Sequence, residues 1–243
     1  MFPYDATILA ALQTSPQSIS DVLNLLHTID STCQDGDGLK WFNWLYMEVT
    51  QAVADRVAAG GFKDPAWMTA LDVNFANLYF VALHASLSGG ETPKCWRVLF
   101  DHRADSPVAR IQFAMAGINA HINHDLAEAI VLTCQARNST PQYDGEHYKD
   151  YTALNETLDS LVDMAKKKLH VRLLGDVLPP VSHLEDSLAA FGVSAARETA
   201  WLNADHLWAI RATPFLAETF MEMLDGFAAY AGNLLMVPVP AGH

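Results

Sequence analysis

Residues 117–126 read GINAHINHDL, which places two asparagines, two histidines and an aspartate inside a run that is otherwise apolar. His121 and Asp125 are four residues apart, so on a helix their side chains meet on one face. A carboxylate that accepts an imidazole N–H fixes the ring's tautomer and raises the basicity of the other nitrogen. A general base or a metal ligand needs both effects. His121 and Asp125 are therefore the candidate catalytic pair. Asn119, Asn123 and the carboxylate of Asp72, in the apolar stretch LDVNFANLYF, are the candidate substrate-binding groups. The HxxHD spacing also offers His121, Asp125 and His124 to one cation, although three adjacent ligands on a helix are geometrically awkward. The pattern is neither HExxH nor the paired ExxH of di-iron bundles.

Projected at 100° per residue, Met115, Ile118, Ile122 and Leu126 form an apolar stripe. Arg110, His121, His124, Glu128 and Gln135 gather opposite, with Asp125 at the border. Gln112, Asn119 and Asn123 lie on a separate flank beside the stripe. A narrow solvent-facing stripe would account for His121, His124 and Glu128. It fails for the two asparagines, which would be buried amides in need of partners. If the helix is central, both polar sets face other helices, and burying them demands a hydrogen-bonded network or a ligand. Three readings stay open: a polar network that only fixes helix register, a catalytic or binding site without metal, and a metal site.

The elements that must position these groups are helices. Asp64-Pro65 and Ser106-Pro107 each pair an N-cap with proline at the first helical position, and Thr213-Pro214 opens a last helix. DGDG at 35–38, Gly60-Gly61 and Gly89-Gly90 are breaks. The pattern predicts helices over about 18–33, 39–59, 65–88, a short one from 93, a rod of about thirty residues from 106 to 138, 151–174, short helices at 183–191 and 194–210, and 214–235. No period-two strand or fixed repeat emerges. The expected fold is all-α: one domain over 1–243, a bundle of about eight or nine helices around a long central one, with its core at about 17–235 and the termini as arms.

Composition narrows the function classes. The chain has 243 residues, 51% hydrophobic and 18% charged, which suits a globular protein. Its net charge of −13 opposes binding to nucleic acid or to anionic lipid. Cys33, Cys95 and Cys134 form no CxxC, which argues against a disulfide framework or zinc ribbon and for a reducing, cytoplasmic setting. MFPYDATILAAL lacks the basic start and cleavage site of a signal peptide. The uncharged stretch 73–90 holds Asn74, Asn77 and His84, each costly in hydrocarbon, so it reads as a core helix. Arg197 reads as a bridge between helices or a partner for Asp72 or a ligand carboxylate. Trp41, Trp44 and Tyr46 read as core residues whose polar tips could line a cavity. No serine elbow, P-loop or GxGxxG is present.

The segment N-A-H-I-N-x-D-L (Asn119 to Leu126), with WFxxLYxxVT from Trp41, MxxLDVxFAxxY from Met68 and ARxxAW from Ala196, resembles a bacterial domain-of-unknown-function family of all-helical proteins. The resemblance implies that Asp72, Asn119, His121, Asn123 and Asp125 belong to the family pattern. His124 departs from it, since a leucine-like residue is expected there. This shifts weight from a three-ligand metal site to His121 with Asp125. The leading expectation is an enzyme that runs lyase, isomerase or cyclase chemistry on a small, mostly apolar molecule in a bundle pocket. No cofactor is required, although a metal is compatible. The alternatives are a non-catalytic binding or scaffold protein, and a metal-dependent hydrolase or oxygenase.

Overall fold

The caps and breaks set where each helix can begin and end. The computed structural model describes residues 2–105, 107–171 and 192–238. They form α1 (Asp5–Ala11), α2 (Ile19–Thr32), α3 (Gly38–Ala58), α4 (Pro65–Ser88), α5 (Lys94–His102), α6 (Arg110–Ala120), a π-helical turn (His121–Asp125), α7 (Leu126–Ala136), α8 (Glu146–Thr152), α9 (Asn155–Lys168), α10 (Val193–Ile210) and α11 (Pro214–Leu235). The fold is a single all-α domain, with no strand among the described residues. The expected helix at 183–191 and the end of the tail lie outside those residues. Asp64 caps α4 as its sequence position requires, its Oδ1 accepting from Trp67 N at 2.9 Å.

The central rod is α6, the π turn and α7 in line, and every residue of α6 from Ile111 to Ala120 is buried. It opens at Arg110, later than expected, because the Gln112 side chain turns back to accept from Ala109 N at 2.8 Å. α3 packs closely along it. A Cβ on Gly117 would lie 2.3 Å from the ring of Phe42, so only glycine lets α3 approach this near to the site.

Several joins are made by buried charge. Arg103 is bound by both oxygens of Asp37 and pairs with Asp5 at 3.1 Å, which fastens α1 and the start of α3 to the end of α5. α1 itself was expected only as an arm, and its Asp5 is buried. Asp150 of α8 accepts from the backbone N–H groups of Lys63 and Asp64 at 3.0 and 2.8 Å, ahead of α4. α5 starts at Pro93-Lys94 with no cap of its own. Asp225 of α11 supplies one from across the bundle, accepting from Lys94 N at 3.0 Å and Cys95 N at 2.8 Å. Among the described residues no helix is long and apolar enough to cross a membrane.

Candidate functional site

The polar segment of the rod is the place where its α-helical ladder breaks. From His121 to Asp125 the backbone widens by one residue, and Leu126 N donates to His121 O in an i→i+5 bond. Such bulges insert a residue and re-aim side chains, and they recur at functional sites. Here the widened turn brings two imidazoles onto one carboxylate. His121 Nδ1 lies 2.9 Å from Asp125 Oδ2, and His124 Nδ1 lies 2.7 Å from Asp125 Oδ1. Trp96 Nε1 of α5 also donates to Oδ2 at 3.0 Å. With Nδ1–H of both rings committed to Asp125, Nε2 is the nitrogen each has left for other partners.

The two histidines then face different surroundings. The His121 ring stacks on Phe75 of α4 (centroids 3.4 Å, 5° between planes), with Tyr46 edge-on at 4.6 Å and Trp96 and Phe42 close by. It is 3% exposed, and its Nε2 has no partner. Burial pulls the pKa of His121 below the ordinary imidazole value despite the Asp125 carboxylate, so the ring is held neutral. His124 goes the other way. Burial again opposes its charge, but the bond to Asp125 and the charges of Asp125, Asp225 and Glu128 outweigh it and raise its pKa. Asp125 is buried as well, and the bonds from the two imidazoles overcome burial to hold its carboxyl low. Glu128 moves up through burial and the neighbouring Asp125 charge.

His124 lies on the wall of an open cleft of about 970 Å³ between the start of α5 and α11, with Lys94, Arg97, Glu218, Glu222 and Asp225 around it. A ring nitrogen of His124, the sulfur of Cys95 and a carboxylate oxygen of Asp225 all lie within 4.8 Å of one another there. These are soft, borderline and hard donors of the kinds that zinc accepts. Burial and the charges of Asp125 and Asp225 push the Cys95 thiol up, so its thiolate form needs a neighbouring cation.

A second polar cluster surrounds a narrow internal cavity of about 40 Å³, lined by Tyr46, Asp72, Phe75 and Arg197 among aliphatic side chains of α3, α4, α7 and α9. Asp72 Oδ2 and the Tyr46 hydroxyl are buried without partners. Burial pushes the Asp72 carboxyl up to about 7. Arg197 donates to Asn155 Oδ1 and Tyr151 O, and its guanidinium stacks 3.9 Å over the Tyr151 ring. Among the described residues it pairs with no carboxylate. Asp72 is no exception, although it lines the same cavity.

The residues singled out from sequence thus divide three ways. His121, Asp125 and His124 form one cluster, but the two rings point into different spaces, so they do not converge on a cation with Asp125. Asn119 and Asn123 turn to α11: Asn119 donates to Ala228 O at 2.7 Å and accepts from Asn123 at 2.9 Å. Asp72 belongs to the internal cavity, separated from His121 by Phe75 and Tyr46. Sequence reasoning passed over Cys95 and Asp225. Cys95 was set aside for want of a second cysteine nearby. Asp225, the lone carboxylate of the apolar run MLDGFAAY, carried a signal of the same kind as Asp72.

Comparison with curated proteins and with solved structures finds no match. A family model does match, described as "Family of unknown function (DUF5995)", over residues 19–238, and the chain belongs to that family.

Proposed function

We infer that the protein is a metal-dependent enzyme of hydrolytic type, working at the cleft between α5 and α11. The observation that carries this is the convergence of buried Cys95 with His124 and Asp225 of the cleft wall, with His124 Nδ1 held by Asp125. A carboxylate behind a ligating histidine is the usual outer-shell arrangement at zinc, where it fixes the tautomer and strengthens the donor. Three protein ligands leave a fourth position open to the cleft, and a metal there would lower the pKa of bound water and polarise a substrate carbonyl or phosphoryl oxygen. His121 and Trp96 complete the shell by holding the other side of Asp125.

Metal analysis of protein purified without chelator, followed by Co²⁺ titration, tests the reading. About one equivalent of a transition metal is expected, with a thiolate-to-cobalt charge-transfer band that Cys95→Ser removes and His124→Ala weakens strongly. Less than a tenth of an equivalent, together with no such band, removes the reading.

The internal cavity supports a second reading, binding of a small, mostly apolar molecule. Its favouring observation is the pair of orphaned polar atoms, Asp72 Oδ2 and the Tyr46 hydroxyl, at an otherwise aliphatic wall. A slot this narrow suits a short unbranched chain with one polar head. Short aliphatic acids and alcohols, added at millimolar concentration, are expected to raise Tm in the parent protein and less in Tyr46→Phe. No rise with any of them would dispose of this second reading.

A further inference from the structure

The last helix presents a face that described residues cover only at Phe220, which packs against His206. Leu216, Phe220, Met223, Phe227, Tyr230 and Leu234 follow one another at spacings of four and three residues, the a/d pattern of a coiled-coil seam. Apart from half-buried Phe220, they are exposed by 47% to 67%. Large apolar side chains scattered singly on a surface need no explanation, but a continuous stripe along a whole helix does. The opposite face of α11 is already engaged, with Leu224, Asp225, Ala228, Gly232 and Leu235 buried.

We propose that this stripe is the interface of a homodimer in which α11 packs antiparallel on α11 of a second copy across a two-fold axis. Charge does not bar a second copy as the occupant. A chain of net charge −13 repels its own kind, and a seam between copies must keep carboxylates away from its edges. The positions beside the seam are Ala217, Thr219, Gly226, Ala231 and Asn233, all uncharged. Glu218, Glu222 and Asp225 fall on the cleft side instead.

Area agrees. At roughly 100 Å² of exposed surface for each large side chain, the stripe offers about 600 Å² per protomer, which for two copies reaches the low end of a standard-sized interface. The stripe is also symmetric about its middle. Reversing it about position 225 lays Leu216 beside Leu234, Phe220 beside Tyr230 and Met223 beside Phe227, close to the axis. Gly226 sits at that centre with open space where a Cβ would be, so the two backbones can approach closely there. This interface is independent of the chemistry in the cleft.

Sedimentation velocity on the full chain tests the proposal. Twice the 26.7 kDa chain mass is expected at tens of micromolar. Phe227→Glu is expected to weaken association at least about 100-fold while leaving the helical circular dichroism unchanged. Orientation is read by cross-linking. Because Cys33, Cys95 and Cys134 are buried, a thiol introduced by Phe227→Cys is the accessible one and should join two chains under mild oxidation. Leu234→Cys should not, since antiparallel packing sends the two copies of that residue to opposite ends. A parent protein that stays monomeric to about 100 μM, a dimer indifferent to Phe227→Glu, or cross-linking through Leu234→Cys would each overturn the proposal.

Discussion

Asp72→Asn is expected to stabilise the folded protein by about 4 kcal/mol at pH 8 and by only about 1–2 kcal/mol at pH 5, read by urea unfolding at each pH. The sign follows from where the proton sits. Burial raises the Asp72 carboxyl from 3.8 to about 7, so between these values the folded chain holds a proton that the unfolded chain has released. Stability therefore falls as pH rises through this window and levels off above about 7. Asparagine keeps the shape and has no charge to bury, so the slope disappears with it. Tm should rise by roughly 10 °C at pH 8. A variant whose gain is the same at pH 5 and pH 8 would show that the Asp72 carboxylate is already satisfied in the folded state.

Removing the carboxylate at the π turn should act in the opposite direction. Asp125→Ala is expected to cost about 3–5 kcal/mol, because it leaves two imidazole N–H groups and the Trp96 indole N–H without their acceptor in a buried site. Asp125→Asn retains the volume and one acceptor oxygen, so its stability loss should be smaller. Its effect on metal should still be large, about 10–100-fold in affinity by competition titration, since an amide cannot hold both histidines in the same tautomer. If Asp125→Asn binds metal as the parent does, Asp125 is a structural clasp, and the cleft histidine does not depend on it.

These two carboxylates show how far the sequence could be read. Both stood out as charges in apolar helices, and the spacing of His121 and Asp125 correctly put them in contact. Their environments were not legible. The i,i+4 rule assumes an unbroken α-helix, and the π turn departs from it by one residue. That departure lets His124, a neighbour in sequence, share the same carboxylate. Which imidazole meets solvent depends on Phe75, Tyr46 and Trp96, which come from three other helices and close over His121. Asn119 and Asn123 were rightly expected to need partners, yet the partner is a backbone carbonyl of α11 more than a hundred residues away.

Helix identity and most boundaries come from local causes, and so the sequence alone determined them. A cap, a proline with fixed φ or a glycine pair acts within a turn of itself, as at Asp64-Pro65 and Gly89. The all-α class, the apolar rod and the unusual polar cost inside it follow from the same short-range chemistry. The candidate site does not. Cys95 and Asp225 are 130 residues apart, and the capping of α5 by Asp225 brings them together. That junction exists because an uncapped helix start must find an acceptor somewhere once it is buried, and only the folded bundle decides which carboxylate is near enough to serve.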